Sequence, residues 1–430
     1  MNARLKPATV NSMGSHLLAV SLAASVSMGL FSRAADGSPP VVWSVGTPIV
    51  TYWCGPSLTD ATARQMTEGG WNLVWCGEQE LEVARRHGLR GQLVDPLLAP
   101  ASLDDPVQRE RLDALVARVR RHPALYAYFI TDEPNATNFP ALGTLVAYLR
   151  QRDPAHLAYV NLFPTYASNA QLGNSGDTVA AYREHLRQYV EVVKPALISY
   201  DHYQFATHGD TAQYFLNLAL IRRAAQDAGR PFLNIVQACT WTPSMRVPGP
   251  EEMRYLVYTT LAYGAQGISY YVYSCAGHTG AIAQADGTPT PLYHALTTLN
   301  REFVAIAAQL QPLRSLGVYH AGMSPPGAEP LSPDAVFTLD PPVPSRNYRP
   351  PEPVTGVLLG CFGPADRSSG APTHAVVVNL DYRADAVVGL RGPAGLEVFD
   401  AAAGRWSRAG DNRVELRLSA GGGRLVRIRP

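Results

Sequence analysis

Residues 125–135 read LYAYFITDEPN. The unbroken apolar and aromatic run at 125–130 favours a strand buried on both faces, as strands of a parallel sheet are. The run ends in a polar segment that carries two carboxyl groups, Asp132 and Glu133. This stretch therefore predicts a buried parallel strand that delivers acidic side chains at its carboxyl end.

The same pattern, an apolar run followed by an amphipathic stretch, occurs eight times along the chain. The predicted strands are Ile49–Trp53, Trp71–Trp75, Gly91–Asp95, Leu125–Ile130, Leu157–Leu162, Ala196–Tyr200, Phe232–Val236 and Gly267–Tyr273. Helical periodicity between them is clearest at Asp104–Arg121, Phe139–Arg150, Val179–Val193, Ala212–Ala228 and Glu251–Tyr263. Eight such units favour a closed (β/α)8 TIM barrel, an α/β fold, over an open doubly wound sheet. The first turn, Cys54-Gly55-Pro56-Ser57, also lacks the GxGxxG phosphate signature that an open sheet would carry.

The 430 residues exceed what one barrel of about 250 residues needs. We expect the barrel at 40–315, a proline-rich linker or elaborated loop at 316–353, and a C-terminal antiparallel β-sandwich at 354–430. The sandwich is indicated by short runs with a period of two, separated by glycine-rich turns.

The N-terminal segment 1–34 has the pattern of a signal peptide. Arg4 and Lys6 precede the apolar run 17–31, and small residues place cleavage after Ala34. The run is shorter than the roughly 20 residues that a transmembrane helix needs. We therefore expect a secreted or periplasmic protein with no membrane association after cleavage; an uncleaved anchor or a true start at Met13 are the alternatives.

The formal net charge of +1 and the lack of a basic stripe argue against a nucleic-acid partner. Five cysteines lack CxxC spacing and paired histidines, so we predict no metal and no cofactor. Four of them follow predicted strands 1, 2, 7 and 8, which adjoin around a closed barrel. Pairing such as Cys54–Cys76 or Cys239–Cys275 would stiffen the mouth in an oxidising compartment, and neighbouring free thiols are the alternative.

Catalytic groups of a barrel gather where strands end. Here most strand ends carry a carboxylate or an amide flanked by Trp or Tyr, which suits stacking on sugar rings and bonding to their hydroxyls. We predict a carbohydrate ligand, with candidate contacts at Tyr52, Trp75, Glu78, Asp132, Asn161, Tyr166, His202, Tyr203, Gln237 and Trp241. Any single residue of this set can instead be structural.

Glycoside hydrolysis needs two carboxyl groups, one of them protonated near neutral pH. Glu133 follows a buried strand and adjoins Asp132, so burial and like charge are expected to raise its pKa. We therefore predict Glu133 as the general acid.

The segment at 128–168, YFITDEPN through PTYAS, resembles the fourth and fifth units of clan A glycoside hydrolases, particularly family-42-like and β-galactosidase-like barrels. The runs EGGWNLVWCGEQELEVARRHGLR and LAYGAQGISYYVY look similar to other units of these barrels, and the C-terminal segment is similar to the β-sandwich appended to many glycosidases. The resemblance implies that Glu133, in Asp132-Glu133-Pro134, is the acid/base.

The chain departs from this family at strand 7, where Gln237 stands near the place of the nucleophilic glutamate. Asp201, after strand 6, is our favoured second carboxylate, acting as base towards a water with inversion, and Glu78 is the alternative. A third reading is a catalytically lapsed carbohydrate-binding barrel, and a transglycosidase on the same scaffold is a fourth. The sequence does not indicate the oligomeric state.

Overall fold

Eight parallel strands form the barrel in the computed structural model, which describes residues 48–365 and 370–429. The predicted signal peptide at 1–34 lies outside these residues. The strands are Ile49–Trp53 (β1), Leu73–Cys76 (β2), Arg90–Leu93 (β3), Leu125–Asp132 (β4), Leu157–Leu162 (β5), Ile198–His202 (β6), Phe232–Gln237 (β7) and Gly267–Tyr271 (β8). Their order in the sheet is β1-β8-β7-β6-β5-β4-β3-β2.

Asn72 closes the ring between β1 and β2. Its backbone N–H donates to the carbonyl of Val50 at 3.1 Å, and its Oδ1 accepts from the N–H of Val50 at 2.9 Å. Its Nδ2 also donates to the carbonyl of Pro48 at 2.9 Å. The backbone and side chain of Asn72 thus make the hydrogen bonds at the junction of β1 and β2.

Alternation along each strand sorts side chains between two cores. Inward-facing residues such as Ile49, Leu73 and Leu157 fill the barrel interior. Outward-facing neighbours such as Val50 and Val74 pack against the helices. Because the period of a strand is two, every residue's position at the mouth follows from this register.

Nine α-helices are present in the described residues: Asp60–Glu68 (α1), Leu81–Arg86 (α2), Pro106–Val119 (α3), Phe139–Arg152 (α4), Asn169–Leu172 (α5), Thr178–Gln188 (α6), Tyr214–Asp227 (α7), Pro250–Ala262 (α8) and Pro291–Leu310 (α9). Asp105 caps α3, accepting from the N–H of Val107 at 2.8 Å. Pro250 begins α8, where its missing N–H has no intrahelical partner to lose. No helix in 48–365 or 370–429 has the length and apolarity to cross a membrane.

Two antiparallel sheets follow the barrel. Their strands are Leu313–Gly322 (β9), Glu329–Pro330 (β10), Thr338–Leu339 (β11), Gly356–Pro364 (β12), His374–Asn379 (β13), Ala386–Arg391 (β14), Leu396–Asp400 (β15), Arg405–Gly410 (β16), Arg413–Leu418 (β17) and Gly423–Ile428 (β18). The larger sheet has the order β10-β9-β12-β13-β18-β15-β16 and the smaller one β11-β14-β17. One apolar core that includes Leu359, Val377 and Leu416 lies between them. The predicted fold class, a TIM barrel with a C-terminal β-sandwich, is confirmed.

The sandwich starts earlier in the chain than the expected boundary at 354. Strand β9 pairs with β12 over nearly its whole length, so residues 316–322 of the expected linker belong to the larger sheet. The sequence LRSLGVYHAG alternates only partly, which hid the strand. The proline-rich segment that follows contributes β11, which pairs with β14.

The sandwich rests on helix α8 of the barrel. A Cβ added to Gly360 would lie 2.0 Å from the carbonyl oxygen of Ala262, and one added to Gly423 would lie 2.7 Å from the ring of Tyr258. Only glycine lets a strand approach a helix this closely. Barrel and sandwich accordingly belong to one compact unit.

A buried polar contact also joins the two parts. After β6 the chain forms a short hairpin, Phe205–Ala206 with Gly209–Asp210. The hydroxyl of Tyr382, from the sandwich, donates to both carboxyl oxygens of Asp210, at 3.0 and 3.1 Å. Burial raises the pKa of Asp210 to about 6, although the hydrogen bond from Tyr382 opposes the shift.

We expect Tyr382→Phe to lower the free energy of unfolding by about 1–3 kcal/mol, because it removes one of the donors to a buried carboxyl group. Urea unfolding at pH 7 measures this change. Tyr189→Phe is the matched control, since the buried hydroxyl of Tyr189 has no hydrogen-bond partner among the described residues. Equal losses in the two variants would contradict a specific role for the Tyr382–Asp210 contact.

Candidate active site

Three carboxyl groups meet at the carboxyl ends of adjacent strands. Asp132 is the last residue of β4, Glu133 follows it, and Asp201 lies in β6. Strand β5 runs between β4 and β6 and supplies Asn161. The register pairs Asp132 with Asn161, and Asn161 with Ser199 two residues before Asp201.

Asn161 bridges two of these acids. Its Nδ2 donates to Oδ1 of Asp132 at 3.0 Å and to Oδ1 of Asp201 at 2.9 Å. Its own Oδ1 accepts from the hydroxyl of Ser199 at 3.0 Å, and that hydroxyl lies 2.6 Å from the hydroxyl of Tyr159. The amide is therefore fixed in orientation, and both of its donors are committed to the carboxyl groups.

Glu133 lies in a strained backbone position. Its φ is 44°, in the left-handed region that side chains other than glycine rarely adopt, and its N–H donates to the carbonyl of Asn161 at 2.9 Å. After this turn the Glu133 carboxyl group lies close enough to Asp201 for each to shift the pKa of the other. Two neighbouring buried carboxyl groups are both ionised only at a large cost in free energy.

Burial raises the pKa of Glu133 well above its usual range, and the charges of Asp201 and Asp132 raise it further. Burial and the charge of Asp132 also raise the pKa of Asp201, to about 8, although a hydrogen bond from Asn161 favours its charged form. Glu133 therefore holds its proton more tightly than Asp201, which is the first of the two acids to ionise.

The carboxyl cluster faces solvent on one side only. Asp132 is exposed on that side, and the protein atoms that surround it elsewhere raise its pKa to about 6 by desolvation. Tyr166 exposes 45% of its surface, and its hydroxyl accepts from the N–H of Tyr203 at 3.3 Å. These two residues therefore give the acids a side that faces solvent.

Aromatic rings stand on two sides of the mouth. On the side of β1, β2 and β4, Trp75 contacts Trp53 at 4.8 Å and Phe129 at 4.7 Å between ring centroids; we call this the Trp53 wall. The other wall lies at the ends of β6, β7 and β8. Trp241, after β7, contacts Tyr203, after β6, at 4.7 Å and Tyr271, the last residue of β8, at 4.9 Å between ring centroids; we call these three rings the Trp241 wall. Burial raises the pKa of Tyr203, and the charges of Asp201 and Asp132 raise it further, which indicates that this wall lies beside the acids.

Six of the predicted residues thus lie around the mouth: Trp75, Asp132, Asn161, Tyr166, Tyr203 and Trp241. The sequence interpretation missed Trp53, Phe129 and Tyr271, and also His278, whose Nε2 lies 3.0 Å from the hydroxyl of Tyr271. Counting alternate residues inward from Ile49 along β1 would have found Trp53.

Three other predicted contacts have structural partners instead. Tyr52 faces outward and packs on Tyr273, because the register of β1 turns Trp53 inward. The ring nitrogens of His202 lie 3.0 Å from Asn217 Oδ1 and 3.0 Å from Thr211 Oγ1, and burial lowers its pKa to about 4.

Gln237 is the third predicted contact whose side chain has structural partners. Its Oε1 accepts from the N–H of Phe205 at 2.8 Å, and its Nε2 donates to the carbonyls of Phe205 at 3.0 Å and Arg246 at 2.6 Å. The amide at the end of β7 therefore anchors the hairpin that follows β6, and it has no atom free for a ligand.

Glu78 is excluded as the second carboxylate. Arg118 binds both of its oxygens, with Nε at 2.6 Å and Nη2 at 2.8 Å, and holds the pKa of Glu78 below its usual range. The charge of Glu78 is therefore paired with that of Arg118 at the protein surface. Of the two candidates from the sequence, Asp201 alone lies beside Glu133.

All five cysteines are free thiols. Cys54, Cys239 and Cys275 gather behind the Trp241 wall, whereas Cys76 faces outward with its Sγ 3.9 Å from the carbonyl of Gln92. The suggested pair Cys54–Cys76 is therefore wrong. Within 48–365 and 370–429, no group of three or more His, Cys, Asp or Glu side chains has an arrangement that could hold a metal ion.

No family model matches the chain, and no curated protein matches its sequence. Among solved structures, the chain is similar to a glycoside hydrolase of family 5 from Bacteroides vulgatus, with a TM-score of 0.53 and 10% identity, covering 91% of this chain and 89% of that one. It also matches a GH27 β-L-arabinopyranosidase from Geobacillus stearothermophilus, with a TM-score of 0.49 and 10% identity, covering 90% and 97%. At such identity the first likeness establishes the fold, and the second adds no argument. Both of these structural neighbours are glycoside hydrolases.

We expect Glu133→Gln to stabilise the fold at pH 7 by at least about 1 kcal/mol, because it removes a buried acid that resists ionisation. Unfolded carboxyl groups lose their proton near pH 4, whereas the folded pair keeps one above that pH. The folded state thus binds more protons from about pH 4 up to the raised pKa of the pair, and wild-type stability falls as the pH rises through that range.

Urea unfolding of wild type and variant between pH 4 and pH 8 tests this. The stabilising effect should shrink towards pH 4. Glu78→Gln is the control, because Arg118 lowers the pKa of Glu78 and the same substitution should stabilise nothing there. A Glu133→Gln variant that is less stable than wild type at pH 8 would contradict the shared proton.

Proposed function

We propose that the chain is a glycoside hydrolase in which Glu133 is the general acid and Asp201 the second carboxylate. The observation that carries this proposal is the carboxyl pair at the barrel mouth, in which Glu133 holds its proton more tightly than Asp201. That is the complement that glycosidic bond cleavage requires. The aromatic walls beside the pair support a sugar substrate, because apolar ring faces stack on sugar rings.

The contact between the carboxyl groups bears on the stereochemistry. An inverting enzyme separates its carboxyl groups by about 6.5–9.5 Å to accommodate a water, and a retaining enzyme by about 5–5.5 Å. Glu133 and Asp201 interact at short range, which favours the closer spacing of a retaining enzyme over the wide spacing that our sequence-based proposal of Asp201 as base requires. We therefore assign Asp201 as the nucleophile of a retaining reaction.

In this mechanism Glu133 donates its proton to the leaving oxygen while Asp201 attacks the anomeric carbon. Glu133, now ionised, then takes a proton from the water that hydrolyses the glycosyl ester. Asn161 orients Asp201 throughout and stabilises its charge. A substrate entering between the two acids would meet the proton donor on one side and the nucleophile on the other.

Glu133→Gln is expected to lower kcat by about 10²–10⁴-fold, because the amide cannot donate the proton. A panel of aryl glycosides and natural oligosaccharides first identifies a substrate, and calorimetry with that sugar checks binding. Glu78→Gln is the matched control and should retain wild-type turnover.

Affinity without turnover across the whole panel would favour the catalytically lapsed binding barrel. Transfer of the glycosyl group to a second sugar in preference to water would favour the transglycosidase.

Proton NMR of the first-formed anomer tests the role of Asp201. We expect retention of the anomeric configuration. Inversion would contradict Asp201 as nucleophile while leaving glycoside hydrolysis itself established.

Trp241→Ala is expected to raise KM about tenfold with kcat changed much less, because it removes an aromatic face that binds the sugar without taking part in bond cleavage. Steady-state kinetics on the identified substrate measure this. Trp406→Ala, which alters a tryptophan of the sandwich packed on Phe399, is the control and should leave KM unchanged. A fall in kcat alone would contradict a binding role for the Trp241 wall.

A further inference from the structure

Three thiols from distant parts of the chain converge behind the Trp241 wall. Cys54 follows β1, Cys239 follows β7, and Cys275 follows β8. All three contact one apolar cluster with Val272 and Ala281. The chain supplies five cysteines in all, so more than half of them lie at one corner of the barrel mouth.

The backbone holds Cys54 and Cys275 next to each other. The carbonyl of Cys54 accepts from the N–H of Tyr273 at 3.1 Å and is 3.4 Å from the N–H of Ser274. Both side chains pack in the same apolar cluster, where Cys275 also affects the pKa of the Cys54 thiol. Two cysteines whose backbones adjoin and whose side chains share one cluster need little movement to form a disulfide.

Solvent access distinguishes this pair from Cys239. Cys54 and Cys275 are partly exposed, whereas Cys239 is buried and its Sγ lies 3.2 Å from the carbonyl of Tyr271, to which the thiol donates. An external oxidant therefore reaches Cys54 and Cys275 first. Cys76 and Cys361 are buried in other cores and have no thiol neighbour among the described residues.

We propose that Cys54 and Cys275 are a redox-active pair that forms a disulfide across the barrel mouth. In the reaction, a thiolate of the pair attacks a small-molecule disulfide such as oxidised glutathione and releases one thiol. The second cysteine then displaces the other thiol. Two protein thiols become one disulfide, the oxidant is reduced to two thiols, and the proton count balances.

The bond would fix the segment that supports the Trp241 wall. Cys275 begins the loop in which His278 contacts the hydroxyl of Tyr271, and Thr279 exchanges backbone hydrogen bonds with Thr240 beside Trp241. Linking that loop to the end of β1 joins the first and last strands of the barrel. A cross-link between such distant residues restricts the unfolded chain and stabilises the fold.

Peptide mapping of the full chain tests the proposal. The protein is equilibrated with oxidised glutathione, its free thiols are alkylated, and it is digested without reductant and analysed by mass spectrometry. We expect a peptide pair joining Cys54 to Cys275, two hydrogens lighter than the sum of its reduced forms. Burial raises the pKa of the Cys54 thiol to about 12, so the link should form faster as the pH rises. Alkylation of both cysteines after equilibration, or a link to Cys239 instead, would overturn the proposal.

Variants give the second readout. Cys361→Ser should keep the link and serves as the control for removal of a buried cysteine. The double variant Cys54→Ser with Cys275→Ser should lack it. Oxidation should raise the Tm of wild type by about 4 °C relative to its reduced form, and should not change the Tm of the double variant. An equal rise in both would place the stabilising bond elsewhere, and the wild-type peptide map decides the question even if the double variant fails to fold.

Discussion

Two neighbouring carboxyl groups buried at the end of a barrel cannot both be ionised without a large cost in free energy. Glu133 and Asp201 meet this constraint because Glu133 holds its proton more tightly, and the surrounding residues fit that arrangement. Asn161 donates to Asp201 and not to Glu133, so the charge is stabilised on one acid and the proton is kept on the other. The left-handed backbone at Glu133 brings the pair together, and a strained residue at such a position is often part of a functional site.

The supports of this pair extend well beyond the barrel mouth. Behind Asn161, Ser199 and Tyr159 fix the amide from inside the barrel. On the other side, Gln237 holds the hairpin that follows Tyr203. The far end of that hairpin is bound to the sandwich through Asp210 and Tyr382. The sandwich thus stabilises the segment that carries one aromatic wall, which gives it a physical role without any ligand of its own.

Periodicity predicted most of the fold. Strands β1 and β5 have the predicted bounds, because their apolar runs begin and end abruptly. Strand β9 was missed because its alternation is incomplete and a proline-rich segment follows it. At the site, the strand ends located Asp132, Glu133, Asn161 and Asp201.

Sequence alone did not reveal which neighbour faces inward, and so it selected Tyr52 where the register presents Trp53. Nor did it show that the side chains of Gln237 and His202 form hydrogen bonds within the protein, since their partners come from other segments of the chain. The proximity of Glu133 to Asp201 was not predicted either. It depends on the left-handed backbone conformation of Glu133, which its residue type does not indicate. Because of this proximity, we propose Asp201 as a nucleophile in place of the water-activating base expected from the sequence.

We propose that Glu133 holds a proton at neutral pH, more tightly than Asp201 does. Infrared difference spectroscopy between wild type and Glu133→Gln at pH 7, with isotope-labelled glutamate, observes this directly. We expect wild type to have the carbonyl band of one protonated glutamic acid and the variant to lack it. A wild-type spectrum with only ionised glutamate would contradict a protonated Glu133.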